Sequence, residues 1–126
     1  MTLSIVDFLN ARLTEDENAA RLAFAEHNQA EAEWTEIRSG AIQLGPNEDE
    51  LITFDLGVSR HIVRHDPARV LREVTAKRAL LTEHTPNRDI CDAHDPITLE
   101  TEPCNVILAL AAIYSDHESY LDEWRP

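Results

Sequence analysis

Apolar positions along the first quarter of the chain recur at helical spacing. Ile5, Leu9, Leu13, Ala20 and Phe24 mark one stripe, and Phe8 and Ala23 widen it. Ser4 stands where an N-cap belongs, Asp7 completes a capping-box-like pair, and Leu3 lies just outside. Arg12–Asp16 and Glu17–Arg21 can pair at i,i+4 on the polar side. The pattern predicts one helix from residue 4 to about 31, roughly 40 Å long at full extent. Such a helix must pack across a domain or lie in an oligomer seam, a homodimer being the simplest case.

From Trp34 the period changes. Trp34, Ile37 and Ile42 stand among polar residues, Leu51 to Phe54 form a β-prone run, and Gly40 and Gly45-Pro46-Asn47 supply turns. A small hairpin or irregular strand pair fits. Asp55 can cap a short helix over Leu56 to Arg64, with Val58 and Ile62 facing inward. Asp66-Pro67 then announces a longer helix with cap and first residue in order. Its apolar face is Val70, Leu71, Val74, Leu80 and Leu81, its surface pair is Glu73–Lys77, and Thr85-Pro86 stops it.

A loop over 87–102 has little with which to build a core. Pro103 opens a further helix capped by Thr101 or Glu102, with an apolar face of Val106, Ile107, Leu110, Ala111 and Ile113. Ser115 and Glu118 read as another capping box, turning Tyr120, Leu121 and Trp124 back onto the body. The expected fold is mainly α with a small β element, an α+β class. It has a long N-terminal helix, a short hairpin, and helices joined by a zinc-knuckle-like loop, all in a single domain over 1–126.

The 126 residues suffice for one domain. With 43% hydrophobic but only 6% aromatic residues, the core must be largely aliphatic. Twenty-four acidic against 11 basic residues leave a net charge of −13, the wrong sign for sequence-independent contact with a phosphate backbone. Direct nucleic-acid binding is therefore not expected. A surface of this sign can steer toward a basic protein partner, and a helical acidic protein can also imitate DNA. The opening MTLSIVDFLNARLTEDE shows neither a basic n-region nor an apolar h-region, and no stretch approaches the roughly 20 apolar residues of a membrane span. A cytoplasmic, non-membrane protein is expected, in surroundings that disfavour a lasting disulfide.

That setting gives weight to the one constellation with specific chemistry. His84, Cys91, His94 and Cys104 read H-x6-C-x2-H-x9-C and use both cysteines of the chain. Cys91-x2-His94 is knuckle spacing, His84 falls in the last turn of one helix, and Cys104 in the first turn of the next. Two thiolates and two imidazoles close a tetrahedral site, and S2N2 donors favour zinc over magnesium or calcium. One structural zinc per chain, held by the 84–104 segment, is the expectation. A buried thiol with no metal, or a Cys91–Cys104 redox pair, remains the alternative.

Other clusters are less specific. His61-x3-His65 has chelating spacing, and with Asp66 it defines a metal-dependent hydrolase alternative. Isoleucine at 62 replaces the glutamate of HExxH, however, and a helix junction should separate the two imidazoles, with Asp66 used as a cap. Asp116-His117 resembles a base–orienter pair only in sequence. Arg60, Arg64, Arg69 and Arg72 could form a local basic interaction patch, but salt bridges to the abundant Glu and Asp are the favoured reading. No nucleophile arrangement or phosphate loop points to an enzyme class.

RHDPARVLREVTAKRALLTEH, the Cys/His loop followed by Pro-Cys, and the ending YSDHESYLDEWRP together resemble a family of small proteins of Streptomyces, related actinobacteria and their phages, domain-of-unknown-function family 6221. The resemblance spans nearly the whole chain and is most specific at 64–84 and 103–126. It implies a loop knuckle, a cysteine after proline and a histidine closing the preceding helix, which Cys91, Cys104 and His84 match. His94 stands where the family often has cysteine. The resemblance implies no activity, so the expected function is a noncatalytic, zinc-stabilised protein-interaction or regulatory module.

Overall fold

Helices dominate the fold, and a small antiparallel sheet interrupts them. The computed structural model describes residues 4–24, 29–38, 40–46, 49–85 and 104–126. In chain order the elements are α1 (Ile5–Leu22), a 3-10 turn (Gln29–Ala32), β1 (Trp34–Arg38), β2 (Ala41–Leu44), β3 (Glu50–Ile52), α2 (Leu56–Arg64), α3 (Pro67–His84), α4 (Asn105–Ala112) and a second 3-10 turn (Asp122–Trp124). The chain divides into two compact units, one of Met1–Thr14 with Thr75–Pro126 and one of Glu15–Val74. Among the described residues no helix is long and apolar enough to cross a membrane. The expected zinc-knuckle-like loop, with Cys91 and His94, lies outside the described residues.

In the first unit, Ser4 caps α1 as its position predicts: its Oγ accepts from the N–H groups of Val6 at 3.2 Å and Asp7 at 3.4 Å. The helix then buries Ile5, Phe8, Leu9 and Leu13. Phe8 is the hub of an aromatic cluster. Its ring stands 6.3 Å from Tyr114, 6.0 Å from Tyr120 and 5.0 Å from Trp124, mostly edge to face. Trp124 is only 6% exposed, so the chain end does dock as its apolar spacing suggests.

Two details of this unit correct the sequence reading. Cys104 holds the N-cap position of α4 with an extended backbone (φ −71°, ψ 166°), just ahead of the first turn in which it was expected. The expected caps Thr101 and Glu102 and the expected first residue Pro103 lie outside the described residues. Beyond Ala112 the chain reverses through successive i,i+3 turns, Tyr114 N–H to Ala111 O, His117 N–H to Tyr114 O and Tyr120 N–H to His117 O, each 2.9 Å. The side chain ordering this reversal is His117, which accepts the Ser119 N–H at 3.0 Å, in place of the expected Ser115/Glu118 box. Ile113 is consequently 54% exposed and leaves the predicted apolar face of α4.

In the second unit, α1 ends at Leu22 instead of running to about residue 31. Asp16 and Glu17 break the apolar stripe between Leu13 and Ala20, and the last turn tightens, with Ala23 N–H donating to Ala20 O at 3.2 Å. Glu17 and Arg21 pair as expected, at 3.1 Å. The β region is a three-stranded antiparallel meander, one strand more than the hairpin predicted, in the order β1-β2-β3. Trp34 pairs with Leu44 and Ile42 with Leu51, and a register irregularity falls between Glu36 and Arg38. Gly40 is required before β2. Its φ is +79°, and a Cβ there would lie 2.8 Å from Phe54 Cα.

Helix α2 begins as its sequence predicts: Asp55 Oδ1 accepts the Val58 N–H at 3.0 Å. Its inward face does not follow the aliphatic residues. Val58 is 47% exposed, whereas Ser59 is fully buried. The Ser59 hydroxyl bonds Asp55 O at 3.0 Å and shares a 2.7 Å bond with Thr53 Oγ1, so a satisfied hydroxyl fills the site an isoleucine or valine was expected to fill.

Truncation of the buried aromatic hub is expected to be costly: Trp124→Ala should lose about 3–5 kcal/mol in denaturant unfolding. Tyr120→Phe should leave stability unchanged or slightly raised, because the Tyr120 hydroxyl is buried with no hydrogen-bond partner among the described residues. A Trp124→Ala protein as stable as the parent, or a large loss on Tyr120→Phe, would contradict this account of the cluster.

Candidate functional site

The chemistry-bearing residues form four groups. The first joins the end of α3 to the start of α4. Cys104 carries a free thiol only 4% exposed, and its Sγ lies 4.0 Å from the backbone oxygen of His84. The sulfur makes no capping hydrogen bond to α4. Two of the four residues expected to bind zinc, 20 positions apart in sequence, thus meet. The other two, Cys91 and His94, lie outside the described residues. Among the described residues no group of three or more His, Cys, Asp or Glu side chains is gathered for a metal. The contact is made by the His84 backbone oxygen, so it brings the two residues together without setting the imidazole against the sulfur; thiolate and imidazole are nonetheless the donor types a zinc site uses.

The second group is His61, His65 and Asp66. The two imidazole rings are 4.6 Å apart between centroids, tilted by 48°, and both residues are exposed. This corrects the expectation that a helix junction separates them. His65 ends α2, its N–H bonding His61 O and Ile62 O, so α2 keeps its helical course long enough to stack one ring beside the other. Asp66 does not join them. Its Oδ1 accepts the Arg69 N–H at 2.9 Å, capping α3, and its Oδ2 accepts the Trp34 N–H at 3.1 Å, fixing the first residue of β1. The cap was legible in Asp66-Pro67; the bond to a residue 32 positions earlier was not.

The third group is the arginine patch. Arg60, Arg64, Arg69 and Arg72 line one open cleft of about 410 Å³, together with Val63 and Asp66. Helical spacing puts Arg60 and Arg64 on one side of α2, and Arg69 and Arg72 on one side of α3. Two of the four have ion pairs: Arg69 Nε is 2.8 Å from Glu73 Oε1, and Arg60 Nε is 3.5 Å from Glu36 Oε2. Arg64 and Arg72 have none among the described residues.

The fourth group is one that sequence reasoning missed. Arg12 Nη1 lies 2.8 Å from His117 Nδ1, which also receives the Ser119 N–H. Guanidinium and amide can only donate, so Nδ1 accepts both and the ring proton sits on Nε2. The Arg12 guanidinium also lies over the Phe8 ring, 5.1 Å from its centroid. Asp116 is exposed and makes no triad with His117. No local signal could have revealed a partner 105 positions away.

Comparison with known proteins places the chain in one family. Residues 2–126 match the family described as "Family of unknown function (DUF6221)", and the chain belongs to it. No curated protein and no solved structure gives a significant match.

Asp66→Ala should lose about 1–3 kcal/mol, since the cap of α3 and the anchor of β1 vanish together. His61→Ala and His65→Ala, at exposed positions, should change stability by no more than about 0.5 kcal/mol. Denaturant unfolding of the three variants checks this. Equal losses at all three positions would show that the histidines and Asp66 act as one structural unit, contrary to the geometry.

Proposed function

We propose that this member of the family is a noncatalytic protein-interaction or regulatory module whose fold is stapled by one zinc ion, held by His84, Cys91, His94 and Cys104. The observation carrying this reading is the meeting of His84 and Cys104 at facing ends of α3 and α4, with the Cys104 sulfur buried and unused as a cap. A closed four-ligand site leaves no coordination position for water or substrate, so the ion's contribution is to stability. The residues bracket a stretch of chain poor in core-forming side chains, where a metal adds most. Asp66, the carboxylate a hydrolase reading would use beside His61 and His65, is occupied by two backbone amides.

The purified protein should carry one zinc per chain in native mass spectrometry. Cys104→Ser should lose it, with a fall in thermal stability matching that of the chelator-treated parent. Metal linkage sets the scale: about 4 kcal/mol when free zinc stands a thousandfold above its Kd. A binding partner retained by the zinc-loaded chain should be released by Cys104→Ser. Metal-free parent protein that is fully folded, or a Cys104→Ser variant with undiminished zinc, would overturn the reading.

A further inference from the structure

We propose that the arginine-lined cleft of the second unit is a binding site for a compact phosphate monoester. This goes beyond the zinc reading and does not depend on it.

The cleft draws four of the chain's 11 basic residues into one place, although the protein as a whole is strongly acidic. Arg69 is braced from two directions, by Glu73 Oε1 at its Nε (2.8 Å) and by the backbone oxygen of Arg64 at its Nη1 (3.3 Å). A guanidinium has five N–H donors, so most of those on Arg69 remain for a ligand. Arg60 engages Glu36 through Nε, leaving its terminal nitrogens. Arg64 and Arg72 have no ion pair among the described residues, despite the 24 acidic residues of the chain. The single carboxylate lining the cleft is Asp66, whose two oxygens already accept the Arg69 and Trp34 amides. The site is therefore rich in unused donors, and each oxygen of its carboxylate is engaged by a backbone amide.

The class of ligand follows from charge and shape. The net charge of −13 repels any anion at a distance, so binding has to come from short-range bonds made by several guanidinium groups together. A tetrahedral dianion has three terminal oxygens to share among guanidiniums converging from two helices. A planar carboxylate has two oxygens and half the charge. Val63 is the one apolar lining residue and no aromatic side chain lines the cleft, so it offers no surface on which a nucleic-acid base could stack. What remains is the phosphate group itself, carried by a phosphorylated protein side chain or by a small free phosphate compound.

Titration of the full-length protein, followed by amide chemical shifts and by calorimetry, tests this with four probes: inorganic phosphate, a phosphoserine peptide, the same peptide unphosphorylated, and its Ser→Glu form. The two phosphate probes should shift amides within 60–72, and the other two should bind at least about tenfold more weakly, a difference of about 1.4 kcal/mol. The combined Arg64→Gln and Arg72→Gln variant should weaken phosphate binding at least about tenfold, with its melting temperature unchanged. Arg38→Gln, outside the cleft, should leave binding as it is. Tighter binding of the phosphopeptide than of inorganic phosphate identifies a phosphorylated protein segment as the source, and equal binding a free phosphate compound. The proposal is overturned if neither phosphate probe binds, if the Ser→Glu peptide binds as well as the phosphopeptide, or if the Arg64/Arg72 variant binds like the parent.

Discussion

Asp66 sits where α3 needs a cap and β1 needs an acceptor, and one carboxylate meets both needs. Each of its oxygens accepts one backbone N–H, from Arg69 and from Trp34. The consequence is geometric: the start of α3 and the first residue of β1 are held at one point, while α2 packs against β1 and β2. With the sheet and the α2–α3 corner fixed, the arginines on the two helices line a common cleft. The same two bonds turn the Asp66 carboxylate toward backbone amides of β1 and α3. A charged acceptor on two amides is worth more than a neutral one, which suits a residue on which several elements converge.

The first unit relies on a different device. Phe8 gathers Tyr114, Tyr120 and Trp124 around a single ring. His117 stands 5.7 Å from that ring and ties α1 to the C-terminal turns through Arg12. Aromatic residues are scarce in this chain, and concentrating them gives the chain end an anchor that aliphatic contacts alone would not. Where α3 ends and α4 begins, the buried Cys104 sulfur lies 4.0 Å from the His84 backbone oxygen, the place where the proposed zinc ion would add to the core.

Local signals were well legible in the sequence. Ser4, Asp55 and Asp66 all cap the helices their positions announce, and Gly40 turns where it was expected to turn. The end of α1 at Leu22 follows the break that Asp16 and Glu17 make in the apolar stripe, a break that the wider spacing of Leu13, Ala20 and Phe24 concealed. What else was not legible was non-local. Ser59 took the buried place of an aliphatic residue because Thr53 and Asp55 satisfy its hydroxyl, a bond visible only once the chain is folded. The Arg12–His117 bond is similarly long-range. Of the candidate sites, the arginine patch could be read from helical spacing, but its convergence on one cleft required the turn made at His65-Asp66. The four residues proposed for zinc stand out by spacing alone, and of these the fold describes only the outer two, with the Cys104 sulfur 4.0 Å from the His84 backbone oxygen.

The claim on which the functional account turns is the closed thiolate–imidazole site. X-ray absorption at the zinc edge of the purified protein reads its first coordination shell directly. The account predicts two sulfurs at about 2.3 Å and two nitrogens at about 2.0–2.1 Å, with no water ligand. A first shell of oxygen and nitrogen alone, or one retaining a coordinated water, would contradict it.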